Sequence, residues 1–134
     1  MMIIGITVCA VVMTGCGNKH VSLAKEFGEV LCSGDDAKAE AFFEKNIDES
    51  FAEANKENRT LKKVVRAFRN ANGTVAVKAL WKGENDGAKG AIVSLTRGDA
   101  TLYVVVAEMK GKGAKITSVT GDKKIIDTIL SAMK

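Results

Sequence analysis

Apolar residues in the first half of the chain recur at intervals of three and four, which is the spacing of one face of an α-helix. This spacing predicts a helix with Leu23 and Phe27 on its buried face, followed by helices over 37–45 and 60–70. A shorter helix that buries Phe51 is expected between the last two. The first half of the domain is therefore predicted to be helical.

Turn and capping residues separate these helices. Gly34 is expected to end the first helix in a left-handed conformation, and Ser33 or Asp35 to cap the second helix. Asn46 and Glu49 have the spacing of a capping box for the short helix. The small and apolar residues expected to be buried in these two helices are Ala41, Phe42 or Phe43, Ile47, Phe51 and Ala54.

The period changes from Thr74 onward, where apolar and polar residues alternate as they do in half-buried β-strands. Strands are predicted over 74–82, 91–97, 101–109 and 115–120, with Trp81 on the same face as Val75, Val77 and Ala79. The short glycine-containing connections indicate an antiparallel meander. A final amphipathic helix is predicted over 122–133, with an inward face formed by Ile125, Ile126, Ile129 and Leu130. Helices followed by a meander predict the α+β class.

The start of the chain has a different pattern. An uncharged apolar run from Ile3 to Met13 is too short to span a membrane, which takes about 20 residues. It is followed by Thr14-Gly15-Cys16. This arrangement resembles the lipobox of bacterial lipoproteins, in which the leader is removed before the cysteine and that cysteine is acylated. A buried N-terminal strand or helix is the alternative.

The lipoprotein resemblance implies a division of the chain. Residues 1–15 are expected to be a signal peptide, residues 16–20 a lipidated tether that includes His20, and residues 21–134 a single domain. Anchoring by the acyl chains on Cys16 would place the domain in the cell envelope, with the outer membrane favoured over the inner one. Cys32 then remains without an intramolecular partner, and is expected to be a small buried side chain on a helix.

A second resemblance concerns the domain itself. The apolar helix face from Phe27 to Leu31, the break at Ser33-Gly34-Asp35, the helix start at Ala37–Ala41 and the glycine-linked strands that end at Lys115-Ile116 are similar to small lipoproteins of the nuclear transport factor 2-like superfamily. The resemblance implies a cone-like fold in which a curved sheet wraps around a helix. In that superfamily the cone encloses a pocket in some members.

Charge is distributed unevenly along the chain, whose formal net charge is +4. From Lys19 to Asn58 there are five lysines against ten acidic residues, whereas from Arg59 onward there are fifteen basic residues against six acidic ones. The basic cluster on the helix over 60–70 is explained either by an ordinary solvated helix face or by a contact with anionic lipid. Its members are Arg59, Lys62, Lys63, Arg66 and Arg69. No nucleic-acid partner is expected outside the cytoplasm.

Candidate chemistry is sparse. A single histidine provides no zinc site without thiol partners, and Gly111–Lys115 lacks the spacing of a phosphate-binding loop. No catalytic residue, metal or cofactor is therefore predicted. Trp81, Tyr103 and Glu108 are the candidates for lining a pocket. Glu108 would have a raised pKa if it faced inward, and would be an ordinary solvated carboxylate at the end of its strand otherwise.

These observations favour a non-enzymatic, lipid-anchored envelope domain that binds or scaffolds a partner, either anionic lipid or an envelope protein. Two alternatives remain open at this point. One is a small-molecule pocket protein with weak enzymatic activity, which the superfamily resemblance suggests. The other is an inhibitor or immunity-type protein, which the size and location fit equally well.

Overall fold

The computed structural model describes residues 19–85 and 87–133. In this part of the chain, four helices precede a sheet and one follows it. The helices are α1 (Lys19–Leu31), α2 (Asp36–Asn46), α3 (Glu49–Asn55), α4 (Arg59–Asn70) and α5 (Lys123–Ala132). The strands are β1 (Ala76–Asn85), β2 (Ala88–Arg97), β3 (Ala100–Met109) and β4 (Gly113–Thr120). The predicted α+β class and the order of elements are confirmed.

The four strands form one open antiparallel sheet in the order β1-β2-β3-β4. Each tight turn joins neighbouring strands, and the left-handed backbone that such turns require is supplied by glycine, as at Gly98, with a φ of 60°. Alternation along β2 and β3 places Val93 opposite Val104 and Leu95 opposite Leu102 on one face. All four of these side chains are fully buried.

Helix α1 lies across this apolar face and contacts all four strands. Its buried side is formed by Ala24, Phe27, Val30 and Leu31, at the helical spacing seen in the sequence. Phe68 of α4 joins the same core and is completely buried. The core therefore sits between the inner face of the sheet and the helices that precede it.

Helix α5 packs over the opposite, outer face of the sheet. Ile126 of α5 and Ile92 of β2 are buried there, apart from the main core. Ile129 and Met133 share a small apolar cavity of about 150 Å³ with Trp81 and strands β2 and β3. The prediction of Ile125 on the inward face is wrong, because that side chain is 47% exposed.

Helices α2 and α3 differ from the predictions at two points, of which one is a cap and the other a buried residue. Asp35 caps α2 and Gly34 is left-handed, with a φ of 78°, as expected. However, Asp48 rather than Asn46 caps α3, since its carboxylate accepts a hydrogen bond from the Phe51 amide. Helix α2 buries Ala39 in place of the predicted Ala41.

Two further expectations about burial were wrong. Helix α3 has no fully buried residue, and Ala54 is exposed. Helix α1 begins at Lys19, so His20, which the sequence assigned to the tether, is helical and buried. The packing of α1 on the sheet thus starts earlier in the chain than the apolar pattern indicated.

Candidate functional site

A cleft of about 600 Å³ lies among the helices, between the C-terminal end of α1, helices α2, α3 and α4, and strand β4. Its size is within the range of small-molecule sites, about 300–1,000 Å³. Most of its lining side chains are apolar. The apolar members are Phe27, Leu31, Phe43, Ile47, Phe51, Leu61, Val65 and Val119.

Aromatic packing forms the inner wall of the cleft. The ring of Phe27 lies 6.2 Å from that of Phe42 and 5.7 Å from that of Phe43, measured between centroids. Phe27 and Phe42 are buried in the core, whereas Phe43 is half-buried and borders the cleft. The cleft is thus continuous with the core, and a ligand there would contact rigidly packed aromatic rings.

The short helix α3 and the following turn form the outer wall. Asp48 accepts a hydrogen bond from the Phe51 amide over 3.2 Å, which fixes the start of α3. Asn58 accepts one from the Leu61 amide over 3.0 Å, which fixes the start of α4. Helix α3 spans only seven residues and does not close the cleft. Phe51 of α3 and Leu61 of α4 are therefore half-buried there.

The rim of the cleft is basic. Lys62, Arg66 and Arg69 border it from α4, and Lys56 borders it from the end of α3. Of the described residues that line the cleft, none is acidic. The arrangement combines an apolar interior with a positively charged entrance.

Two of these basic residues are held by neighbouring carboxylates. Lys56 Nζ lies 3.1 Å from Glu53 Oε1, and Arg69 Nη2 lies 2.6 Å from Asp36 Oδ1. For Lys62 and Arg66, no ion pair is found with any carboxylate in the described part of the chain. These two therefore carry the uncompensated charge of the rim.

The basic cluster predicted from the sequence is divided by this geometry. Lys62, Arg66 and Arg69 lie on the side of α4 that borders the cleft, next to Val65, whereas Arg59 and Lys63 do not line it. All but Arg69 are exposed. Only three of the five residues therefore belong to the cleft.

The predicted pocket residues are not brought together. Trp81 pairs with Ile92 and lies on the outer face of the sheet, because a β-bulge between Ala79 and Trp81 shifts the register of β1 by one residue. Tyr103 pairs with Ser94, which alternates with the buried inner residues and so places it on the outer face as well. Glu108 alone shares the inner face with Val104 and Val106.

Glu108 forms an ion pair with Lys19 of α1, and the Nε2 atom of the buried His20 lies 3.7 Å from its Oε1 atom. The hydrogen bond from Lys19, supported by the charge of Lys19 and by His20, lowers the pKa of Glu108 below its ordinary value of 4.5 and outweighs the opposing effect of burial. The expectation of a raised pKa on an inward face is therefore wrong. A carboxylate held in its ionised form is a structural partner of α1 rather than a proton donor.

Cys32 follows the last residue of α1 and is half-buried at the cleft, where the sequence predicted a buried residue on a helix. The sequence pattern did not identify the cleft.

Cys16 lies outside the described residues. Across residues 19–85 and 87–133, no group of His, Cys, Asp and Glu side chains is placed to hold a metal ion, and no helix is long and apolar enough to cross a membrane. Comparisons of the chain with protein-family models, with curated proteins and with solved structures find no match.

Proposed function

We propose that this protein is a small-molecule binding domain that takes an apolar ligand, or the apolar part of one, into the cleft between α1, α2, α3 and α4. The observation that carries the proposal is the cleft itself, with about 600 Å³ of space bordered by half-buried aromatic and aliphatic side chains. Apolar surface left in a concavity gains free energy when a ligand removes it from water. Of the functions that the sequence leaves open, this is the one that the cleft supports.

The proposal concerns binding and not catalysis. The carboxyl group of Glu108, whose pKa is lowered, lies in an ion pair with α1, and Glu108 does not line the cleft. The polar groups that border the cleft are the basic residues and two asparagines, together with the Cys32 thiol. Such groups orient a ligand, which is the role that a few polar groups have in most binding pockets.

We further propose that the domain is tethered to a membrane of the cell envelope through acyl chains on Cys16, and that its fold is of the nuclear transport factor 2-like type. The first part is supported by the lipobox-like sequence Met13-Thr14-Gly15-Cys16. The second is supported by helices that precede a four-stranded antiparallel meander. Intact mass measurement of the protein from its native host tests the tether. Acylation predicts a chain that starts at Cys16 and carries fatty acyl groups, and an intact leader would contradict it.

Binding in the cleft is tested with phenylnaphthylamine, an uncharged fluorophore whose emission rises in apolar surroundings. We expect saturable binding by the unmodified chain and a loss of binding when the cleft is filled by Val65→Trp. Ala67→Trp is the matched control, because Ala67 is exposed on the same helix and does not line the cleft. Circular dichroism establishes that both variants are folded. Absence of saturable binding, or an equal loss in the two variants, would overturn the proposal.

A further inference from the structure

The distribution of charge around the cleft indicates which ligands it accepts. Four basic side chains border it, and none of its described lining residues is acidic. An uncharged ligand would form no ion pair with these basic side chains, and a cationic ligand would be repelled by them. An anionic group at the entrance is the complement of such a rim.

Two of the four basic residues are already engaged. Arg69 donates from Nε to the Leu31 carbonyl oxygen over 3.2 Å and from Nη2 to Asp36 over 2.6 Å. Lys56 is paired with Glu53. Arg69 in particular is fixed in place by these bonds, so that it forms part of the wall and is a positioning residue for the ends of α1 and α2.

Lys62 and Arg66 differ from that pair. They are four residues apart on α4, so their side chains lie on the same side of the helix, one turn apart. Both are exposed, and both border the apolar cleft beside Leu61 and Val65. Their spacing allows one anionic head group to contact both side chains while an attached apolar chain enters the cleft.

We infer that the cleft binds a small amphiphile with one anionic head group, of the fatty-acid class, whose head group is bound by Lys62 and Arg66 and whose hydrocarbon chain packs against Phe43, Phe51 and Val65. The inference rests on the proposed function, because it names the ligand class of the same cleft. A free amphiphile is favoured over a bilayer surface, since the apolar lining lies in a concavity below the charged rim and a flat layer of head groups would not reach it.

The test compares laurate with dodecanol and dodecylammonium, which share the same hydrocarbon chain and differ in charge. Laurate and dodecylammonium are titrated below their critical micelle concentrations, and dodecanol below its solubility limit, as competitors of phenylnaphthylamine. We expect laurate to bind more tightly than dodecanol, and dodecylammonium to bind most weakly. Removing the charges by Lys62→Gln and Arg66→Gln should weaken laurate binding about fivefold for each substitution, or about 1 kcal/mol. The same substitutions should weaken phenylnaphthylamine binding much less than laurate binding, because this probe carries no charge.

The matched control is the double variant Arg59→Gln and Lys63→Gln, which removes the same amount of charge from the same helix away from the cleft. Laurate binding should be nearly unaffected in this control. An equal loss of laurate binding in this control and in the variant that combines Lys62→Gln and Arg66→Gln would overturn the inference. It would mean that only the overall charge of the helix attracts laurate. Binding of vesicles that contain anionic phospholipid without binding of monomeric laurate would also overturn it.

The two proposals fail in different ways. If phenylnaphthylamine binds and the three amphiphiles compete equally, the cleft is a binding site but the inference about an anionic ligand is wrong. If phenylnaphthylamine shows no saturable binding, the proposed function is wrong, and the inference that rests on it is wrong as well. Tighter binding of laurate that is reduced selectively by Lys62→Gln and Arg66→Gln supports both.

Discussion

Arg69 donates a hydrogen bond from Nη2 to Oδ1 of Asp36 over 2.6 Å, and thereby joins the end of α4 to the first residue of α2. Its Nε atom also donates to the carbonyl oxygen of Leu31, the last residue of α1. Helix ends leave carbonyl groups without intrahelical partners, and here one such group receives a side-chain donor. Arg69 therefore connects three of the helices that surround the cleft.

The two bonds of Arg69 are expected to contribute unequally to stability. The carboxylate side chain of Asp36 is 81% exposed, so Asp36→Asn should lower the free energy of unfolding by less than about 1 kcal/mol. Arg69→Met should cost about 1–2 kcal/mol, because it also removes the partner of the Leu31 carbonyl. Urea denaturation measures both values. A larger loss for Asp36→Asn than for Arg69→Met would contradict this ranking.

The elements of the fold were predictable from the sequence because they depend on local patterns. The helical spacing around Phe27 and Phe68 and the alternation along 101–109 reflect which side of each element meets the core. Because the connections are short and contain glycine, consecutive strands pair with each other in the sheet. The helices, the strands and their order therefore depend on residues that are close in the sequence, and these predictions were confirmed.

The position of Trp81 was not predictable in this way. Alternation with Val77 and Ala79 places it on the inner face, but the bulge in β1 moves it to the outer face. A bulge arises from how a strand pairs with its neighbour, here β2, and the alternation within one strand does not reveal it. The burial of His20 is a similar case, because this residue is packed where α1 meets a distant strand, with its Nε2 atom 3.7 Å from Glu108 Oε1.

The cleft was also not predictable from sequence patterns. Its volume is the space that α2, α3 and α4 fail to fill between α1 and β4. Phe51 was expected to be buried, yet it is only half-buried, and the apolar Val65 is half-buried as well. Whether an apolar residue faces another element or an open cleft depends on the lengths and angles of several helices together. The periodicity of each helix alone contains no such information.

The close approach of β2 and β3 at Gly90 leads to a second prediction. A Cβ atom at Gly90 would lie 2.2 Å from the backbone oxygen of Val106, which is far inside contact distance. Gly90→Ala should therefore lower the free energy of unfolding by about 1–3 kcal/mol, since backbone must shift to accommodate the methyl group. Chemical denaturation followed by circular dichroism measures the change.

Gly28 provides a control with the same substitution in a different environment. A Cβ atom there would meet only the ends of side chains, those of Leu95 at 3.1 Å and Val75 at 3.3 Å, so that a shift of a few tenths of an ångström accommodates it. Alanine is also favoured over glycine within a helix, by about 1 kcal/mol. Gly28→Ala should thus change stability by less than about 1 kcal/mol. Equal losses for Gly90→Ala and Gly28→Ala would show that the contact with Val106 is not the cause.

The ion pair between Lys19 and Glu108 leads to a prediction about pH. Because the pKa of Glu108 is lowered in the folded state, the pair stabilises the protein above the ordinary value of 4.5, and this stabilisation is lost as the pH falls through the lowered value. Glu108→Gln should therefore lower the melting temperature at neutral pH. The difference between the two proteins should shrink as the pH is lowered below 4.5.

Thermal melts of the unmodified protein and Glu108→Gln at a series of pH values measure this difference. Glu57→Gln is the control, because Glu57 is exposed and forms no ion pair with the described basic residues. A constant difference between the unmodified protein and Glu108→Gln at all pH values would contradict the prediction. It would mean that glutamine alters packing at the end of β3, and that the charge of Glu108 has no part in joining α1 to the sheet.

The rate at which the Cys32 thiol reacts is a direct measure of occupancy of the cleft, because its side chain is half-buried at the cleft wall. With Cys9 and Cys16 replaced by serine, it is the only thiol of the chain. Laurate in the cleft should shield it from dithionitrobenzoate. If only the unoccupied protein reacts, a laurate concentration of ten times its Kd should slow the reaction about tenfold. Stopped-flow absorbance measures the rate.

Two comparisons separate shielding by a ligand from a general change in reactivity. In the variant that combines Lys62→Gln and Arg66→Gln, laurate should protect Cys32 less at the same concentration, while the protection by phenylnaphthylamine should fall much less. In Val65→Trp, neither compound should alter the rate. Protection of Cys32 by laurate that persists undiminished in Val65→Trp would place the amphiphile elsewhere on the molecule, since the tryptophan would already occupy the space beside the thiol.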